Sequence, residues 1–253
     1  MLIDKSEIAC RFKRSIASYD ENAYAQKAII KRLMAFLEEH GPGNPESILE
    51  VGCGTGLLTE QLQQKFEHSA LFINDLVEDM CCKTAIRCQL KREQCIPGDI
   101  EKVSLPGKYD LIVSASTFQW FAHPAETFAH LATHLSPEGW LVFSTFGTDN
   151  YKELKAITKQ GLVYHSIPEM KNLLAPYFDV LHTEDEHYIL EFHCPLDILR
   201  HVKNTGVNAV TSQSLWTRSK LDQFATDYIM FQLENGHFPL TYHPQYFVCR
   251  KTL

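Results

Sequence analysis

Residues 48–58 read Ile-Leu-Glu-Val-Gly-Cys-Gly-Thr-Gly-Leu-Leu, and this stretch decides the fold. An apolar run ends at Glu50-Val51, glycines follow at alternate positions (Gly52, Gly54, Gly56), and a helical pattern opens with Leu57, Leu58 and Leu62. The pattern predicts a strand, a tight turn and a helix. Glycine serves where the backbone needs positive φ or must let a ligand approach without a Cβ in the way. The helix start behind such a turn also offers unpaired N–H groups. A bound ligand is therefore expected against this turn.

Outward from the turn, strand-like and helix-like segments alternate: strand 47–51, helix 56–66, strand 70–74, helix 76–90, strands 94–97 and 109–114, helix 124–135, strand 139–146. Such alternation predicts an α/β, doubly wound, mostly parallel Rossmann-like sheet with helices on both faces. His123 before Pro124 reads as a helix entry. Ser166 and Glu169 form a capping box for a helix to about Tyr177, and Val180 to Phe192 reads as one long strand. Residues 195–237 are helical in pattern, and a last strand near Tyr246 to Arg250 is expected to run antiparallel at the sheet's end. The Gly41-Pro42-Gly43-Asn44-Pro45 stretch marks a boundary. One domain results: an N-terminal helical section (1–45), a ligand-binding core (46–194), a helical insertion (195–240) and the last strand (241–253). In an open sheet of this kind the ligand lies at the carboxyl ends of the strands, where their order reverses. The sections 1–45 and 195–240 are accordingly read as a lid.

With 253 residues and 45% hydrophobic content the chain supports one full-sized core. Met1 to Arg14 is charged and amphipathic, and no apolar run has signal-peptide or bilayer-spanning length, so a cytoplasmic protein without a membrane partner is expected. None of the eight cysteines forms a C-x-x-C pair; they are expected to be reduced and mainly buried, and no metal site is expected. The net charge of −7 argues against a nucleic-acid partner. The charge is unevenly spread, at +1 over residues 1–45, −10 over 46–194 and +2 over 195–253. The relatively basic ends read either as a solvated face or as a docking surface for an acidic partner.

The glycine spacing also separates two kinds of ligand. A dinucleotide fingerprint places its third glycine or alanine where this chain has Leu57, so a nicotinamide-dependent dehydrogenase is disfavoured. The run Ala70-Leu71-Phe72-Ile73 ends in Asn74-Asp75, and a parallel second strand would deliver that acid beside the turn, where it can accept both hydroxyls of a ribose. Asp75 also suits a helix N-cap, and the pattern leaves open whether Asn74 or Asp75 faces the ribose. The form Glu-x-Gly-x-Gly-x-Gly, Glu50 to Gly56, resembles the first motif of class I S-adenosylmethionine-dependent methyltransferases. That resemblance implies S-adenosylmethionine as cofactor, S-adenosylhomocysteine as product, and binding by Glu50, Gly52, Gly54, Gly56 and Asp75. From Gly98-Asp99-Ile100 it implies Asp99 near the adenine amino group and Ile100 on the adenine face.

A narrower resemblance covers nearly the whole chain. Arg11-Phe12 with Arg14 through Asp20, Gly98 through Glu101, Ser114 through Trp120, Leu199 through Asn208, and Phe238 through His243 resemble the malonyl-[acyl-carrier-protein] O-methyltransferase family of biotin synthesis. The implied reaction moves a methyl group from the sulfonium to the free carboxylate of a malonyl thioester. The methyl ester hides the charge from fatty-acid chain-extending enzymes, at the start of pimeloyl synthesis. A carboxylate is already deprotonated near neutral pH, so no general base is needed. Catalysis then rests on in-line placement, which contributes about 7–11 kcal/mol when the geometry is good.

The acceptor's charge calls for a cation, and Arg200 is the candidate because its guanidinium fork matches a carboxylate. Lys203, three positions on, assists it or meets the partner's phosphopantetheine. The family resemblance implies Tyr19 as a lid residue whose hydroxyl reaches the cofactor, Ser114 on the cofactor side, and Gln119, Trp120 and His243, with Tyr242 beside it, on the substrate side. It also implies an acidic acyl carrier protein as partner, which gives Arg11, Lys13, Arg14, Lys27, Lys31 and Arg32 a use in steering. Carrier protein and coenzyme A are not separated as thioester handles, and a monomer is expected. The rivals are a class I methyltransferase for another small acid or a quinone-like ring, which would need a base for a ring hydroxyl, and a non-catalytic partner protein that keeps the fold.

Overall fold

The computed structural model describes residues 4–206 and 216–252. Helices α1 (Lys5–Ser15), α2 (Tyr19–Asn22) and α3 (Tyr24–His40) lead into β1 (Ser47–Val51). Alternation then follows as expected through α4 (Leu57–Lys65), β2 (Ala70–Asp75), α5 (Glu78–Arg87), β3 (Cys95–Pro97), β4 (Tyr109–Ala115), α6 (Pro124–Thr133) and β5 (Leu135–Phe146). After β5 come α7 (Lys152–Thr158), α8 (Ile167–Leu174), β6 (Phe178–Asp185), β7 (Tyr188–Phe192), α9 (Pro195–Asn204), α10 (Arg218–Tyr228), β8 (Phe238–Tyr242) and β9 (Pro244–Lys251). The main sheet has seven strands in the order β3-β2-β1-β4-β5-β9-β6, parallel except for β9, which runs antiparallel to both β5 and β6.

The central strands are largely apolar because the sheet is covered on both sides there, and successive residues of one strand enter different cores. Leu111, Val113, Val142, Tyr246 and Val248 pack on the face that carries Ile29, Leu33, Phe36 and Leu37 of α3. Their neighbours Ile112, Leu141, Phe143, Phe247 and Cys249 pack on the opposite face with Phe128 and Leu131 of α6. Helix α3 is thus largely part of the core, and of the N-terminal section it is α1 and α2 that lie over the strand ends.

Several expectations need correcting. The stretch Val180 to Phe192 is two strands: β6 stays in the main sheet, the chain turns at Glu186-His187, and β7 pairs antiparallel with β8 in a separate two-stranded sheet. Strand β8 was not expected: it follows the stretch read as helical (195–237) and crosses the boundary drawn at 240; its Pro239 lacks an N–H but lies in a two-stranded sheet. The antiparallel β9 lies inside the sheet, not at its end, with β6 outermost. Residues 207–215 of the insertion, including Val207 and Asn208, lie outside the described residues. The expected entry and capping box are present: His123 occupies the cap position before Pro124, and Ser166 and Glu169 bond reciprocally at the start of α8. All eight thiols are free, with four buried, two half-buried, and Cys10 and Cys82 exposed. Among the described residues no helix is long and apolar enough to cross a membrane.

Candidate active site

Strands β1 and β4 end side by side where the strand order reverses, β2 and β3 on one flank and β5 on the other. A cavity of about 100 Å³ opens there, and a smaller lobe of about 40 Å³ lies on the other side of the glycine turn. Tyr19, Gly52, Gly54, Ala115 and Ser116 line both. Gly52, Gly54 and Gly56 have φ of 75°, 53° and 92°, a region that side-chain-bearing residues enter with strain. At Gly52 a Cβ would stand 2.1 Å from Thr117 Oγ1, whereas at Gly54 no atom lies within 4 Å of that position. The first glycine permits close packing and the second leaves bare backbone on the cavity.

Asp75 closes the turn. Its Oδ2 accepts from Gly54 N at 2.9 Å and its Oδ1 from Val77 N at 2.8 Å, so it ties the glycine turn to the start of α5 although Val77 holds the cap position. Asn74 instead donates to Ile96 O (2.7 Å) and Gly98 O (3.0 Å), fastening β2 to β3. Of the pair left open by the sequence, Asp75 is bonded to the glycine turn and Asn74 to β3. Burial pushes the Asp75 carboxyl up to about 6 against the pull of its two N–H donors. Glu50, buried at the end of β1, is pushed up to about 8 by burial, opposed by the hydrogen bond it accepts from the Thr59 hydroxyl at 2.6 Å. At the far end, Ile100 and Asp99 line the larger lobe, and Asp99 Oδ1 accepts from Lys5 Nζ at 2.9 Å.

The roof comes from the N-terminus. Lys5, Ile8 and Phe12 of α1 share one helical face over the cavity, Phe12 meets Trp120 edge-on at 5.7 Å, and Tyr19 descends from α2 between the two lobes. Burial, reinforced by the charges of Asp75 and Asp20, holds the Tyr19 phenol well above its ordinary range, so it is a neutral donor. Two side-chain oxygens of residues lining the smaller lobe, Gln26 Oε1 and Ser116 Oγ, are buried without a hydrogen-bond partner among the described residues. Ser116 also carries φ 55°, a strained conformation for a non-glycine residue. A ligand with hydroxyl donors for the carboxylates and a zwitterionic end for the smaller lobe satisfies this donor set, as S-adenosylmethionine does.

A family described as a methyltransferase domain matches residues 19–215. The malonyl-[acyl-carrier protein] O-methyltransferase of Acinetobacter baylyi is 39% identical over 253 residues, 99% of this chain and 98% of that protein. The protein of the same name from Haemophilus influenzae is also 39% identical, over 98% of this chain and 95% of its own length. The chain belongs to the malonyl-[acyl-carrier protein] O-methyltransferase family. The fold agrees: the N-methyltransferase NodS from Bradyrhizobium japonicum, in complex with S-adenosylhomocysteine, superposes with a TM-score of 0.58 at 15% identity, covering 98% of this chain and all of that one. This member of the family is an S-adenosylmethionine-dependent methyltransferase.

Within this family fold, the residues expected to act together divide sharply. Glu50, Gly52, Gly54, Asp75, Asp99, Ile100, Tyr19 and Trp120 line the two lobes. Gly56 stands just behind them at the start of α4. Ser114 does not reach the cavity: buried in β4, its hydroxyl donates to Val51 O at 2.7 Å and joins β4 to β1. Gln119 lines a separate apolar cavity of about 290 Å³, its amide donating back to Ser116 O at 2.6 Å. His243 is buried between β8 and β9, with Nε2 on Asp185 at 2.8 Å and Nδ1 accepting from Asp149 N at 3.1 Å, a structural tie remote from the lobes. Its neighbour Tyr242 meets His201 Nε2 at 2.7 Å, and burial holds that imidazole down at about 4, hence neutral. Asp149, His187 and His243 bring possible metal-ligand atoms within 4.8 Å of one another, but these groups are already bonded to each other or to Asp185.

Arg200 is not brought to the cavity. Helix α9 buries Ile198, His201 and Val202, which turns Arg200 outward with its side chain 72% exposed and paired to Asp197 one turn back. Lys203 lies exposed on a cleft between α9 and α1 that also holds Arg11 and Arg14. Lys5, Gln26, Ser116 and Thr117 line the lobes without having been singled out in the sequence. For Lys5 the signal was present in the Lys5, Ile8, Phe12 spacing of one helix face; for Ser116, an ordinary serine past a strand, there was none.

Proposed function

We propose that this chain methylates the free carboxylate of a malonyl thioester carried by an acyl carrier protein, yielding the methyl ester that begins pimeloyl and biotin synthesis. The observation that carries this reading is the 39% identity to relatives of that name over 99% of the chain, so that it spans the covering helices as well as the cofactor core. S-adenosylmethionine, when bound, supplies an electrophilic methyl group on a sulfonium. Asp75 serves the ribose hydroxyls, Asp99 and Ile100 the adenine, and Glu50, Gln26 and Ser116 the amino-acid end.

No residue has to remove a proton, because the acceptor oxygen is already anionic. Of the hydroxyls at the cavity, that of Tyr19 is the donor left to hold it. Phe12 and Trp120 form an apolar wall that keeps water from the acceptor and raises the value of each such bond. Arg200 and Lys203 act at the outer surface, steering an acidic carrier to the cleft beside α1. Transfer of labelled methyl to malonyl, succinyl and acetyl thioesters of the carrier protein and of coenzyme A tests the reading. Label is expected in malonyl, little in succinyl and none in acetyl; label in acetyl, or none in malonyl, overturns it.

A further inference from the structure

Asp99 is held in an asymmetric way. Its Oδ1 takes both available donors, Lys5 Nζ at 2.9 Å and Glu101 N at 3.2 Å, while Oδ2 has no hydrogen bond to any described residue. The same Lys5 ammonium reaches Glu101 Oε2 at 2.6 Å. Glu101 is a fixed post, since it accepts from the backbone N–H groups of Ala122 (3.0 Å) and His123 (2.8 Å) and from the Thr127 hydroxyl (2.9 Å), all at the start of α6. The three side chains are 20%, 14% and 7% exposed, so the bridge is largely shielded from solvent and salt. Lys5 also stands 5.9 Å from the centroid of the Phe121 ring. One cation thus joins the first turn of α1 to two carboxylates that would otherwise repel each other.

We infer that Lys5 is a positioning residue for the cofactor. By engaging Oδ1 it turns Asp99 so that Oδ2 is offered to an exocyclic amino group in the cavity, and it makes cofactor binding dependent on α1 being seated over the strand ends. A charge-assisted bond of this kind keeps the acceptor oriented. The acid at this position can hold the adenine only while the roof is down. The opposite arrangement, in which Lys5 occupies Asp99 and competes with the ligand, has the opposite sign in a binding experiment.

The test is calorimetric titration of S-adenosylhomocysteine into the full-length native protein, Lys5→Met and Lys5→Arg, with melting curves of each cofactor-free variant and steady-state kinetics beside it. For Lys5→Met the dissociation constant is expected to rise about 10–30-fold, the scale of one lost charge-assisted bond. Lys5→Arg should return to within about threefold of native. The KM for S-adenosylmethionine should rise in parallel, while kcat at saturating cofactor stays within about twofold. Native or tighter binding by Lys5→Met overturns the inference, as does a fall in kcat with the dissociation constant intact. If Lys5→Met does not fold, the same titration of Lys5→Gln, which keeps a donor without the charge, decides the point. No acceptor is present in the titration, so its outcome is independent of the malonyl reading.

Discussion

The floor of the cavity and its roof hold their residues by different means. On the floor, Gly52, Asp75 and Asn74 are fixed by backbone: strand ends in register, positive-φ turns, and carboxylate or amide groups bonded to main-chain N–H and C=O. On the roof, Lys5, Phe12 and Tyr19 sit on short helices and meet the floor through side chains, by an ion pair, an aromatic edge and a phenol. The floor is therefore preformed and intolerant, whereas the roof can open at the cost of a few side-chain contacts. The rigid backbone of the floor holds its polar groups in place, while the contacts of the roof form only when α1 and α2 are seated.

The largest effect should come from the floor. Gly52→Ala places a Cβ against Thr117 at positive φ, and is expected to destabilise the protein by about 2–3 kcal/mol in denaturant melts and to abolish S-adenosylhomocysteine binding. Native-like stability and binding would show that the floor is less rigid than its geometry implies. Next comes the roof: Tyr19→Phe should lower kcat about 10–100-fold in the methyl-transfer assay, with cofactor affinity little changed. A loss confined to cofactor affinity would place Tyr19 beside Lys5, as a roof residue that holds the cofactor and not the acceptor.

The buried acids give a pH signature with a definite sign. Asp75, near 6, and Glu50, near 8, hold their protons more tightly folded than unfolded, so the cofactor-free protein loses stability from these groups as pH rises from about 4 to 8. Glu50→Gln should recover about 3–5 kcal/mol at pH 8 in melts of the cofactor-free protein, with the gain vanishing near pH 4. Cofactor hydroxyls need the ionised carboxylate, so affinity should fall about tenfold as pH drops from 7.5 to 5, and Asp75→Asn should flatten that profile. The smallest effect is expected outside both regions. Arg200→Ala should raise the acceptor KM by about threefold at most, with kcat intact, as for an exposed steering charge. Complete loss of transfer would return Arg200 to the acceptor site.

The floor was legible in the sequence because strand ends, glycine spacing and parallel topology bring Gly52, Gly54 and the Asn74-Asp75 pair together; Asp99 came from the family resemblance, and the choice between Asn74 and Asp75 waited on side-chain direction. The roof was legible only in outline. That residues 1–45 cover the ligand followed from position, but α3 proved to be mostly core, reaching the smaller lobe only through Gln26 and Ile30 while α1 and α2 form the roof. On α9 the arginine was identified by its chemistry, yet the buried face of Ile198, His201 and Val202 points it outward. Ser114 misled in the opposite way: it lies one residue before the cavity wall, and strand alternation turns its hydroxyl to Val51. Ser116 was invisible because its significance lies in a positive φ and an unpaired hydroxyl.

Hydrogen exchange of the protein with and without S-adenosylhomocysteine tests most directly whether one ligand joins this floor to this roof. Slower exchange is expected in residues 4–19, 52–56, 75–80 and 98–101 together, with residues 195–206 unchanged. Protection centred on 195–206, or a glycine turn that exchanges at the same rate with and without ligand, would contradict it.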